Sequence, residues 1–193
     1  KGFGFCDVVV GWDSNDQLYD NVQYTGWHTA YPDAPARIVA ESGRPLPSEN
    51  NTPFFLCELA DAAESVCPRG ALRRVLAKAE SMGFSALSAF EYEFFLFDET
   101  PASVREKGYR NLQPITPGYF GYSVLRSSVH SEIYHELMDE MAAMDVAIEG
   151  LHTETGPGVL EAAIAVDNAI DAADKAVLFK TFAPCLHQPD VMA

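Results

Sequence analysis

Positive charge is scarce in this chain. Lys and Arg supply 13 of its 193 residues and Asp and Glu 28, a formal net charge of −15. Nucleic acids and anionic membranes are held by basic patches, so neither is expected as a partner. Long apolar runs are missing too: no stretch approaches the roughly 20 residues that a bilayer crossing needs. No basic-then-apolar leader segment is visible. The cysteines, Cys6, Cys57, Cys67 and Cys185, include no Cys-x-x-Cys pair, the spacing used by zinc sites and redox motifs. Reduced thiols in a cytoplasmic protein are the expectation. A Gly-x-x-x-x-Gly-Lys phosphate loop is also lacking. What remains is an acidic globular chain, 48% apolar, long enough for one domain or two small ones. Its acidity favours cations as ligands.

The most informative stretch is Phe90-Glu91-Tyr92-Glu93-Phe94-Phe95-Leu96-Phe97. Aromatic density predicts a strand. Alternation then puts Glu91 and Glu93 on one face, about 7 Å apart, and Phe90, Tyr92, Phe94 and Leu96 on the other, toward a core. Two carboxylates side by side repel and resist desolvation unless a cation neutralises them. Oxygen ligands at that spacing suit Mg²⁺ or Mn²⁺. Taken alone, the segment reads equally as a half-exposed strand with a solvated acidic face.

A second stretch, Gly150-Leu151-His152-Thr153-Glu154-Thr155-Gly156-Pro157-Gly158-Val159-Leu160-Glu161, predicts strand, sharp turn, strand. His152 and Glu154 share a face, and the reversal can return Glu161 beside Glu154. An ordinary hairpin with polar residues outward is the plain alternative. Two acidic constellations in so short a chain favour a metal site.

Together, Glu-x-Glu-Phe followed by His-x-Glu-x-Gly-Pro-Gly-x-x-Glu resembles the glutamine synthetases and their γ-glutamyl-amine and polyamine ligase relatives, over nearly the whole chain. The resemblance implies an α+β fold: a β-grasp-like N-terminal domain over residues 1–66, then part of a catalytic domain of antiparallel sheet and helices over 67–193. It implies a chain truncated at both ends. The family continues beyond Val191-Met192-Ala193 with a strand and with further metal, glutamate and nucleotide ligands, so no nucleotide-binding residue is assigned here and the fragment alone is expected to be inactive. The substrates implied are ATP, glutamate, and ammonium or an organic amine, with two or more Mg²⁺ or Mn²⁺ ions. ATP would convert the γ-carboxylate to an acyl phosphate that the amine attacks. By motif position, Glu93, Glu154 and Glu161 would hold the metal nearer glutamate and Glu91 the one nearer ATP. Glu154 would also position or deprotonate the amine, and His152 would act behind the ligands. In Gly118-Tyr119-Phe120, Tyr119 matches the tyrosine of the amine pocket, with Tyr122 as the alternative. The full-length protein is expected to form a homo-oligomeric ring.

Two departures bear on the substrate. Val159 stands where glutamine synthetases typically carry Gln, and Thr153 where many carry His. Neither removes a metal carboxylate, and an apolar, roomier wall would favour an organic amine over ammonium. A non-catalytic structural or regulatory member of the family is the competing reading, opposed by retention of all four carboxylates.

The rest of the chain divides by its punctuation. Strands are expected over residues 5–12, 18–24 and 53–59, with a loop-rich stretch between 26 and 51 because of Pro32, Pro35, Pro45 and Pro47. Pro68 opens a helix with Leu72, Val75, Leu76 and Ala79 at helical spacing and Gly83 as its stop. One long helix is expected over 128–144, with Ile133, Leu137, Met141 and Met144 as core and His130 and His135 at the surface. A last helix begins near Asp167.

Overall fold

The computed structural model describes residues 3–13, 15–20 and 23–185. The chain divides into two compact units, Lys1–Ala86 and Leu87–Ala193, and the α+β class holds in both.

In the first unit, β1 (Phe3–Cys6), β2 (Asp33–Ile38), β3 (Arg44–Leu46), β4 (Thr52–Phe54) and β5 (Cys57–Leu59) precede helix α1 (Pro68–Ser81). The strands form an antiparallel β1-β2-β5 sheet and a separate β3-β4 pair. Strand β2 crosses the stretch expected to be loop. Pro35 sits there opposite Gly4, and its carbonyl accepts the Ala60 N–H at 2.8 Å, so the missing proline donor is tolerated inside a sheet. The strand expected over 5–12 ends at Cys6, and Asp7–Gly11 winds into a 3-10 helix. The cause is Asp7. It is 2% exposed and accepts the Thr25 hydroxyl at 2.5 Å, and a buried carboxylate requires such a donor. Of the strand expected over 18–24, Leu18 makes an isolated bridge to Trp12; residues 21 and 22 lie outside the described residues. The strand expected over 53–59 is divided between β4 and β5.

Helix α1 starts and stops where expected, with the Cys67 sulfur capping the Gly70 N–H and Gly83 in the left-handed region at φ +85°. Val75 is exposed, while Leu72, Leu76 and Ala79 are half-buried. The same helix brings Arg69 and Arg73 to Glu58 of β5, which is 2% exposed and also receives Arg37 from β2. These ion pairs lie within the first compact unit, which includes α1.

The second unit runs β6 (Leu87–Ser88), β7 (Glu91–Phe95), α2 (Pro101–Glu106), α3 (Val124–Val129), α4 (Ser131–Ala143), β8 (Ile148–Thr153), β9 (Val159–Ile164), β10 (Asp167–Asn168) and α5 (Ala169–Phe182). Its main sheet is antiparallel, in the order β7-β9-β8, and β10 pairs with β6. Tyr92 and Phe94 point to the helical side. Tyr92 stacks on Phe179 of α5 and donates its hydroxyl to the Ala176 carbonyl at 3.0 Å. Leu137, Met141, Met144, Leu160, Ala162, Ile164 and Leu178 are buried core. Behind β7, a cavity of about 550 Å³ is lined by Phe94, Leu96, Ile133 and Leu137 among others, on the side away from Glu91 and Glu93. The helix expected over 128–144 breaks at His130 (φ −110°, ψ 28°) into α3 and α4. The last helix is capped by Asn168 rather than Asp167: the Asn168 side chain accepts the Asp171 N–H. The stretch ending at Ala193, where the resemblance places a further strand, lies outside the described residues.

The turn between β8 and β9 depends on Gly158. Its φ is +73°, and a Cβ there would lie 2.6 Å from the Leu96 carbonyl oxygen. Its own carbonyl accepts the Leu96 N–H at 2.8 Å. Gly158→Ala is therefore expected to destabilise the unit by about 1–3 kcal/mol, the usual cost of such a backbone strain. Urea melting measures this, and a change within about 0.5 kcal/mol, as at an ordinary surface position, would show that the turn yields freely.

Candidate functional site

Three neighbouring strands set the site by register. On β7, Glu93 lies directly opposite Glu161 of β9, and on the other edge of β9 Glu161 lies opposite His152 of β8. Glu93, Glu161 and His152 thus form a row across one face of the sheet. Glu91 is on the same face, two residues along β7, opposite Ala163. Glu154 follows the end of β8, with its N–H donating to the Val159 carbonyl at 3.1 Å across the turn.

Ligand atoms of His152, Glu154 and Glu161 all lie within 4.8 Å of one another. The His152 Nε2 to Glu161 Oε2 distance is 3.9 Å. Among the described residues no Lys or Arg forms an ion pair with Glu91, Glu93, Glu154 or Glu161. Glu154 is held in a particular way. The Thr155 N–H and hydroxyl both donate to its Oε1, at 2.8 and 2.7 Å, whereas Oε2 is buried and has no hydrogen-bond partner. A buried carboxylate oxygen without a donor is costly, and a cation is the partner that would satisfy it. The Thr155 hydroxyl and N–H, followed by the Tyr122 hydroxyl, hold the Glu154 carboxyl below its ordinary range, so it stays ionised as a ligand or base must. An oxygen-rich donor set, here completed by an imidazole nitrogen, fits Mg²⁺ or Mn²⁺.

Tyr122, the alternative to Tyr119, lies against β8. Its N–H donates to the Thr153 carbonyl at 2.7 Å along the free edge of β8, and its ring lies 4.8 Å from that of His152. Its phenol is pushed up by the Glu154 carboxylate beside it, and more weakly by burial and by Glu161 and Glu93. Tyr119, matched by the Gly-Tyr-Phe segment, is 73% exposed and Tyr122 69%. Tyr122 takes φ +57° to make the approach. His152, expected to act behind the ligands, brings a ring nitrogen within 4.8 Å of carboxylate oxygens of Glu154 and Glu161.

The two departures separate. Val159 is on the carboxylate face but only 4% exposed, opposite Phe95 and packed over Gly156. Thr153 lies on the helical side, opposite Leu160, 5% exposed, with its hydroxyl oxygen accepting the Ser123 N–H at 2.9 Å. Thr153 therefore does not line the carboxylate face.

Comparison with known proteins gives this geometry its kin. A sequence model of the family described as glutamine synthetase, catalytic domain, matches residues 65–186. A type-1 glutamine synthetase of Dictyostelium discoideum is 44% identical over 93% of the chain, and a glutamate–isopropylamine ligase of a Pseudomonas species 31% identical over 93%. The chain spans 35% and 40% of the lengths of these two relatives. Among solved structures, a GmaS–ADP complex superposes with a TM-score of 0.71 at 19% identity, over 94% of this chain and 38% of that one. A glutamine synthase homologue superposes at 0.69 and 16% identity, over 94% and 40%. These likenesses show the fold, and the sequence match shows the lineage: the chain belongs to the glutamine synthetase family.

Proposed function

We propose that the protein carrying this chain is an ATP-dependent carbon–nitrogen ligase that joins the γ-carboxylate of glutamate to an amine. The observation that carries this reading is the buried, unpartnered Glu154 Oε2 beside Glu161 and His152. In this reading Glu93, Glu154 and Glu161 hold one Mg²⁺ or Mn²⁺ and Glu91 contributes to a second. The cations supply charge neutralisation for phosphoryl transfer between anions. Glu154, ionised and fixed by Thr155, accepts an N–H of the incoming amine and is placed to take its proton. Tyr122 rather than Tyr119 walls the amine pocket. The working form is a cytoplasmic, ring-shaped homo-oligomer. Among the described residues no helix is long and apolar enough to cross a membrane.

The amine is proposed to be organic. With Thr153 turned to the helical side and Val159 only 4% exposed, this rests on the relative whose name specifies isopropylamine. An alkyl chain gains roughly 0.8 kcal/mol per buried methylene, so a few methylenes shift preference about tenfold or more. The test is kcat/KM of the full-length protein for ammonium, methylamine, isopropylamine and putrescine, with ATP, glutamate and Mg²⁺. Isopropylamine or putrescine is expected to lead. Ammonium leading, with the ranking unchanged in Val159→Gln, would restore plain glutamine synthesis; no amine-dependent phosphate release with any of the four would end the ligase reading.

A further inference from the structure

We infer that Thr153 is a positioning residue that sets Tyr122 against Glu154 and His152. This deepens the proposed function and rests on it for its consequence in metal binding.

Thr153 holds two consecutive residues of the incoming loop. Its carbonyl accepts the Tyr122 N–H at 2.7 Å and its Oγ1 accepts the Ser123 N–H at 2.9 Å. The first bond extends the edge of β8 by one residue. The second fixes the residue after Tyr122 on the other side of the strand. Between them the Tyr122 backbone has no freedom to turn, even at its uncommon φ of +57°, a conformation that persists only when its surroundings over-determine it. The loop is tied elsewhere too, by Arg126 donating to the Pro117 carbonyl and stacking its guanidinium over Phe120 at 4.4 Å. Those contacts fold the loop on itself, and Thr153 attaches it to the strand that carries His152.

The consequence is a division of labour within β8 and its end. His152 and Glu154 face the proposed cation, while Thr153 between them faces the helical side and holds the tyrosine whose ring lies 4.8 Å from that of His152. A serine or threonine can do this and a valine cannot, because the acceptor is the hydroxyl oxygen. Valine keeps the shape and leaves the half-buried Ser123 N–H without that partner.

The experiment compares Thr153→Val, Thr153→Ser, Tyr122→Phe and the Thr153→Val/Tyr122→Phe double variant in this chain. One readout is the nuclear Overhauser contact between the Tyr122 and His152 rings, the other Mn²⁺ affinity by calorimetry. The ring contact is expected to be lost in Thr153→Val and kept in Thr153→Ser. Mn²⁺ affinity is expected to fall roughly 10-fold to 100-fold in Thr153→Val and in Tyr122→Phe, as when a residue that orients a ligand from outside is lost. The double variant should be no worse than either single one, because both changes act through one contact. A ring contact retained in Thr153→Val, losses that add in the double variant, or a Thr153→Ser as impaired as Thr153→Val would each overturn the assignment. A wild-type chain that binds no Mn²⁺ would instead count against the proposed metal centre, and the ring contact would still decide the role of Thr153.

Discussion

Glu161→Gln is expected to lower Mn²⁺ affinity more than any other single change on the carboxylate face. Glu161 occupies the central strand of three, with Glu93 opposite on one side and His152 on the other. It is the residue through which any ion bridging those strands must be held. Losing an outer hydrogen-bond partner of a metal ligand typically costs about 10-fold to 100-fold in affinity, and losing a central ligand is expected to exceed that. The substitution is nearly isosteric and removes a charge that no Lys or Arg among the described residues pairs with, so folding should not suffer. Glu91→Gln serves as the comparison. Glu91 faces Ala163, one step along the ladder, and its loss should be felt less. Calorimetric titration of Mn²⁺ into wild type and both variants measures the difference. Equal affinity in wild type and Glu161→Gln would remove the metal centre altogether.

The second large effect lies in the first unit and concerns stability. Glu58 is 2% exposed and receives Arg37 at 2.7 Å, Arg73 at 2.6 Å and Arg69. Burial by itself would raise its carboxyl; hydrogen bonds from Arg37, Arg73 and Arg69 outweigh that and hold it at about 2, below the ordinary 4.5. Glu58→Gln leaves three arginines facing each other without their shared anion. Breaking a buried ion pair from one side costs roughly 3–5 kcal/mol. Arg37 and Arg73 are 49% and 40% exposed, so solvent screens part of this and about 2–3 kcal/mol is expected. For a unit of this size that corresponds to a drop in Tm on the order of 10 °C. The pH dependence has a definite sign. A carboxyl whose folded pKa is depressed contributes its stabilisation in full above the unfolded value and loses it as pH falls through the folded one. Wild type should therefore lose stability between pH 4.5 and about 2, and Glu58→Gln should lose less over the same window. Parallel acid limbs for the two proteins would show that Glu58 contributes nothing there.

The anatomy of the site was legible because its residues sit in regular structure. Glu91 and Glu93 share a face by the period of a strand. Gly156-Pro157-Gly158 forces a reversal that returns Glu161, and Gly158 is required by its φ and by the Leu96 carbonyl against it. Helix α1 was delimited by Pro68 and Gly83, and the Leu137, Met141 and Met144 stripe by helical spacing. All of this is local geometry, in which the identity of a residue and its distance along the chain fix where its side chain points. Pairings between distant segments were not legible. Nothing in the sequence says that Pro35 will enter a sheet opposite Gly4, that Asp7 will be buried against Thr25 and end a strand, or that Glu58 will gather three arginines from β2 and α1. The approach of Tyr122 to β8 is of the same kind. It follows from one backbone bond to Thr153 and one to its hydroxyl, across some 30 intervening residues. The sequence by itself determined the family, the carboxylates and the strands that carry them. Only the tertiary structure brought Tyr122 to the edge of β8, because backbone hydrogen bonds between remote segments are blind to side-chain identity.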